Sequence, residues 1–157
     1  MKVIFLDFDG VLNSNRYVRN CGHTGVVIDP SKMLLLKRIV ESTDAKIVLT
    51  TSWKEHWDKN PDRCDSSGVL INKIFDHYGL QIYDKTPVVK PDRENEILEW
   101  IVENPGIENF VAIDDMWLSA EFLKGHTVKT SAFKDALEEE HVQEAIEILT
   151  TKKLKSK

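Results

Sequence analysis

The chain has 157 residues, 41% of them hydrophobic and 30% charged, which suits one domain whose core needs no disulfide or metal staple. Lysine plus arginine total 21 against 26 aspartate plus glutamate, a net charge of -5, so bulk electrostatic capture of nucleic acid is excluded and only a local basic patch is left, with Arg16, Arg19, Lys54 and Arg63 as its candidates. Cys21 and Cys64 lack metal or redox spacing, and the opening apolar run ends at Asp7, too early for a signal peptide or a membrane helix; the expectation is a cytoplasmic protein with no membrane partner and no evident protein partner.

Val3 to Leu6 is a short run of strand formers closed by Asp7 and the turn pair Asp9-Gly10, the pattern of a strand buried on both faces. Residues 14–28 mix Asn, Arg, Gly and His and predict a loop. Asp29-Pro30-Ser31 opens a helix, with Asp29 as N-cap and Pro30 at the first helical position. Lys46 to Leu49 predicts a second strand, followed by Thr50-Thr51-Ser52 and a long polar loop over 53–67. Val69 to Tyr78 predicts a helix closed by Gly79, and Leu80 to Tyr83 a third strand. A helix after Lys90-Pro91 presents Ile97, Leu98, Ile101 and Val102 on one face. Phe110 to Ile113 reads as a fourth strand ended by Asp114-Asp115. A short helix from Leu118, a strand at Thr127 to Lys129 and a helix around Val142 to Leu149 complete the pattern. The alternation predicts an α/β fold around a parallel sheet of about five strands. It forms one domain over residues 1–150, with 151–157 a basic tail that frays.

In such a sheet, ligands bind beyond the carboxyl ends of the strands. Those ends carry Asp7-Phe8-Asp9-Gly10, Thr50-Thr51-Ser52 and Asp114-Asp115. Carboxylates converging there repel one another unless a cation joins them, and an all-oxygen donor set suits Mg²⁺. Taken singly, each cluster also reads as turn or cap chemistry. Three of them, each directly after a short apolar strand, point to one site. Cys21 and His23 have no second pair to complete a metal site, the tryptophans at 53 and 57 read as packing, and Glu138-Glu139-Glu140 reads as an acidic helix start.

Residues 5–12, Phe-Leu-Asp-Phe-Asp-Gly-Val-Leu, resemble the first motif of the haloacid dehalogenase-like (HAD) hydrolase superfamily. The strand ending at Thr50 resembles its second motif, Val89-Lys90-Pro91-Asp92-Arg93 its third, and Ala112-Ile113-Asp114-Asp115 its fourth. Thr51-Ser52-Trp53 and the C-terminal stretch are similar to small cap-less HAD domains, some of them attached to RNA-repair modules. The resemblance implies a three-layer α/β/α Rossmann-like core and a Mg²⁺-dependent phosphomonoester hydrolase. Asp7 would be the nucleophile that forms an aspartyl-phosphate, and Asp9 the general acid and base. Mg²⁺ would sit on the Asp7 carboxylate, the Asp9 main-chain carbonyl, and Asp114 or Asp115. Gly10 would let the chain turn out of the strand. Thr50 would hold a phosphoryl oxygen, with Thr51 as the alternative and Ser52 beside them. Lys90, or else Arg93, would neutralise charge on the transferring group.

The gaps after the first motif and between Tyr83 and Lys90 are too short for a folded cap. The implied site is open, walled by 14–28 and 53–67. It suits a phosphorylated substrate large enough to cover it: a nucleotide, a nucleic-acid end or another large phosphoester. A phosphate- or metal-binding module that keeps the fold without catalysis is the alternative reading.

Overall fold

Period-two alternation divides each central strand between two hydrophobic layers, and this division sets the architecture. In the computed structural model, which describes residues 1–89 and 92–151, five parallel strands form one sheet in the order β3-β2-β1-β4-β5. They are β1 (Lys2–Leu6), β2 (Lys46–Leu49), β3 (Ile82–Lys85), β4 (Asn109–Asp114) and β5 (Thr127–Lys129). The helices are α1 (Asn15–Cys21), α2 (Pro30–Thr43), α3 (Ser66–His77), α4 (Arg93–Glu103) and α5 (Glu139–Thr150). Ile4, Leu6, Ile47, Leu49, Val111 and Ile113 face a layer built from α2, α3 and α5, which contribute Met33, Leu36, Ile71, Phe75, Val142 and Leu149. Val3, Phe5, Val48 and Ala112 face the opposite way, onto Ile97 and Trp100 of α4. The Phe5 and Trp100 rings meet edge to face at 5.5 Å. Helices on both faces of a parallel sheet make the α/β/α three-layer core expected from the sequence. No helix among the described residues is long and apolar enough to cross a membrane.

Several elements differ from their sequence reading. Residues 15–21, expected as loop, form α1: the Ser14 hydroxyl accepts the Tyr17 N–H at 3.1 Å, and Gly22 ends the helix at φ 74°. Helix α3 starts earlier than expected, because the Asp65 carboxylate accepts the N–H groups of Ser67 and Gly68. Strand β3 begins at Ile82, since the Leu80 N–H is spent on the Phe75 carbonyl in closing α3. On α4 the buried stripe is Glu96, Ile97 and Trp100, while Leu98 and Val102 face outward. The stripe is rotated because Trp100 packs on Phe5 and donates its indole N–H to Asp84 at 2.9 Å. The helix expected from Leu118 is one 3-10 turn, Glu121–Leu123.

Parallel pairing puts every strand's carboxyl end on one edge. Leu6 lies level with Leu49 on one side and Ile113 on the other. Asp7, Thr50 and Asp114 therefore emerge next to one another.

Candidate active site

The backbone of the site continues the sheet ladder. The Asp7 N–H donates to the Ile113 carbonyl at 3.2 Å, and the Thr50 N–H to the Leu6 carbonyl at 3.0 Å. These bonds hold Asp7 and Thr50 at the ends of central strands, where both are buried. Carboxylate oxygens of Asp7, Asp114 and Asp115 lie within 4.8 Å of one another.

Arg93, in the first turn of α4, enters this cluster from the side. Its Nη1 is 2.8 Å from Asp114 Oδ2 and 3.2 Å from Asp7 Oδ2. Burial comes first in pushing the Asp7 carboxyl up to about 8, with Asp114 and then Asp115 adding to it and Arg93 opposing. Asp115 is raised as well, again chiefly by burial. Three acids face one guanidinium, and the rise at Asp7 and Asp115 shows that their ionised forms are disfavoured here without a further positive charge, which a cation would supply. Oxygen donors alone fit Mg²⁺. Asp7, Asp114 and Asp115 are the side chains that would hold it.

Asp9 stands apart from that cluster. Its carboxylate is exposed and held at two points, by the Asn13 side-chain amide at 2.9 Å and by the Trp53 indole N–H at 3.2 Å. The expected convergence of four carboxylates is thus three in the cluster and one beside it. Trp53, read from the sequence as packing, is a partner of Asp9. Asn13 goes further: its Oδ1 accepts the Gly10 N–H at 3.1 Å, and its amide also reaches the Val27 carbonyl at 2.7 Å. One buried amide thereby shapes the turn after β1. Asn13 follows Asp9 by four residues and Gly10 by three, close enough in the chain for the local side-chain bonds that Asn makes in turns.

Gly10 has φ 84°, and a Cβ there would stand 2.2 Å from Asp115 Oδ2. The position therefore needs both the left-handed conformation and the missing side chain. Its carbonyl accepts the Thr130 hydroxyl at 2.6 Å, and the Thr130 N–H donates to the Asp114 carbonyl at 3.0 Å. Thr130, not singled out in the sequence, ties the turn after β1 to the end of β4. Thr51 caps the turn Ser52–His56 by accepting the Trp53 N–H at 3.3 Å, and Ser52 is exposed. Lys90 lies outside the described residues, so of the two basic candidates the position of Arg93 is the one described.

Lys54 does not belong to a surface patch. It is buried, and its ammonium donates to Glu96 at 2.8 Å, to the Thr86 hydroxyl at 3.0 Å and to the Pro87 carbonyl at 3.2 Å. Cys21 points its thiol at the Val18 carbonyl, and neither it nor His23 joins an acidic or metal-type cluster among the described residues. Glu138, Glu140 and His141 do cluster, but as the first turn of α5, where His141 accepts the Glu138 N–H at 2.9 Å. A hollow of about 380 Å³ between Trp57, Asn72 and Ile82 is lined by Asp58 and Asp76 but by none of Asp7, Asp9, Asp114 and Asp115.

No curated protein and no solved structure matches the chain significantly. A family model described as the HAD domain in Swiss Army Knife RNA repair proteins matches residues 3–142. That span takes in the Asp7 turn, Thr50, Arg93 and the Asp114-Asp115 pair, and the chain belongs to this family of HAD domains.

Proposed function

We propose that this domain is a Mg²⁺-dependent phosphomonoester hydrolase acting on a nucleic-acid end or a similar large phosphoester. The observation that carries the reading is the setting of Asp7. It is a buried carboxylate at the end of a central strand, paired with Arg93 and clustered with Asp114 and Asp115. An Asp7 oxygen attacks phosphorus, the bond from phosphorus to the leaving oxygen breaks, and Asp9 delivers the proton that oxygen needs. Water then attacks the aspartyl-phosphate, giving a proton back to Asp9 as the bond to Asp7 breaks and phosphate departs. Mg²⁺ held by Asp7, Asp114 and Asp115 would supply the positive charge that keeps these acids ionised and offsets charge on the phosphoryl group.

Each remaining residue has a task in this reading. Arg93 faces Asp7 and stabilises the charge that develops on the transferring group, with Lys90 as the alternative for that role. Thr50 and Thr51 bind phosphoryl oxygens at the end of β2, with Ser52 alongside. Since the Thr50 N–H is spent on Leu6, Thr50 contributes through its hydroxyl. Asn13 and Trp53 orient Asp9. The RNA-repair description of the matched family and the short connections flanking α1 favour a macromolecular end over a small metabolite.

Phosphate release from p-nitrophenyl phosphate, mononucleotides and end-phosphorylated oligonucleotides, each with Mg²⁺ and with EDTA, tests the proposal. Turnover that needs Mg²⁺ and vanishes in Asp7→Asn supports it. Tight binding of phosphate or metal without turnover of any ester would instead make the domain a non-catalytic module.

A further inference from the structure

Among the described residues, the two most exposed of the large hydrophobic side chains are both aromatic, Phe133 at 92% and Trp117 at 75%. Single exposed apolar residues are common and need no explanation. These two, however, stand on the same sheet edge as the carboxylates. Trp117 follows Asp114 by three residues, within about 10 Å of chain, and shares with Asp114, Met116 and Lys129 the lining of a small hollow of about 50 Å³. The Met116 N–H is bonded to Asp114 Oδ1 at 2.9 Å, so the chain leading to Trp117 is fastened to the site itself.

Phe133 is fastened from the other side. It follows Thr130, which bonds both the Gly10 and the Asp114 carbonyls, again within about 10 Å of chain. Its neighbour Ala132 accepts the Asn15 N–H at 2.8 Å, and the Leu137 N–H donates to the Val11 carbonyl at 3.0 Å. The segment carrying Phe133 is thus laced to the Asp9-Gly10 turn and to the start of α1. Cations accompany both rings. Lys129 Nζ lies 6.0 Å from the Trp117 ring centre, and Arg16 and Lys134 are exposed next to the Asn15–Ala132 contact and Phe133.

We propose that Trp117 and Phe133 are stacking platforms for the bases of a single-stranded polynucleotide whose terminal phosphate enters the Asp7 site, with Lys129, Arg16 and Lys134 facing its backbone. The assignment rests on the phosphomonoesterase reading for the terminal phosphate, and on the rings' exposure for the bases. Stacking accepts any base, because every base has a π-face, and adds binding energy to that of the cations facing the backbone. It therefore contributes to single-strand binding independently of the net charge of -5. It also supplies a cover for the phosphoryl pocket that comes from the substrate.

The test compares wild type, Trp117→Ala, Phe133→Ala and the ring-keeping variants Trp117→Phe and Phe133→Tyr. Two readouts are taken: kcat/KM on a hexanucleotide with a terminal phosphate relative to that on p-nitrophenyl phosphate, and anisotropy binding of the same labelled oligonucleotide to Asp7→Asn protein. RNA and DNA versions with 5′ and with 3′ phosphate form separate arms. Each alanine variant should lower the kinetic ratio and weaken binding by roughly five- to a hundredfold, the worth of one base on one ring, and the ring-keeping variants should restore most of it. A loss shared by RNA and DNA supports stacking, and a loss confined to one names the source. Equal kcat/KM losses on both substrates, or oligonucleotide binding unmoved by either alanine, would overturn the assignment. If no ester is turned over by wild type while alanine still weakens oligonucleotide binding, the stacking surface stands and the hydrolase reading falls.

Discussion

Arg93 Nη1 sits between two acids, 2.8 Å from Asp114 Oδ2 and 3.2 Å from Asp7 Oδ2, so one guanidinium from α4 bridges the ends of β1 and β4. Asp7 and Asp114 and the Arg93 side chain are all largely buried, which removes most of the solvent screening that weakens surface pairs. The bridge holds the proposed nucleophile in place and leaves Asp115 beside it.

Removing that bridge should cost turnover. Arg93→Ala is expected to lower kcat by about a hundredfold or more, the usual effect of losing one charge-stabilising donor, and Arg93→Lys to restore part of it. Lys90→Ala should have a smaller effect. Phosphate release under saturating substrate measures both, and a larger loss at Lys90 would transfer the role to that residue.

Metal should stabilise the folded chain. An ion that binds only the folded state adds about 2.7 kcal/mol at a hundred times its Kd. Thermal unfolding in millimolar Mg²⁺ should therefore show a higher midpoint than unfolding in EDTA. The double variant Asp114→Asn/Asp115→Asn should abolish the shift. A wild-type midpoint indifferent to Mg²⁺ would count against the metal site.

The raised Asp7 carboxyl predicts a pH dependence of the metal-free protein. Between the ordinary value of 3.8 and about 8, folded Asp7 keeps a proton that the unfolded chain releases. The folded state then binds more protons, so stability falls as pH rises through that window. In EDTA the unfolding midpoint should drop by at least ~4 °C from about pH 5 to about pH 8. Asp7→Asn should flatten the slope, and Mg²⁺ should reduce it in wild type.

Lys54 and Glu96 form a buried pair at 2.8 Å that ties the turn after β2 to α4. Burial lowers the Lys54 ammonium and Glu96 opposes that shift. Taking away one partner strands the other in a dry environment, so Lys54→Met is expected to destabilise by about 3–5 kcal/mol. The double variant Lys54→Met/Glu96→Leu should recover most of the loss, as a denaturant titration of the three proteins will show.

The amino-acid sequence by itself determined the layers and the edge on which the site lies. Short apolar runs ending in Asp7, Thr50 and Asp114 specify buried parallel strands, because only a sheet covered on both faces accommodates such continuous runs. Parallel strands then bring their ends together whatever the loops do. Asp29 as N-cap of α2 was equally legible, because a cap bonds a backbone group two residues away. The tertiary structure decided what depends on contacts distant in the chain. That Asp9 is held by Trp53 rather than joining the acidic cluster, that Lys54 is buried on Glu96, and that α4 turns Trp100 inward and Val102 outward all rest on partners 16 to 95 residues apart. Neither periodicity nor local propensity carries that information. A charged or aromatic side chain reads as exposed or as packing until the fold supplies, or withholds, the group that it meets.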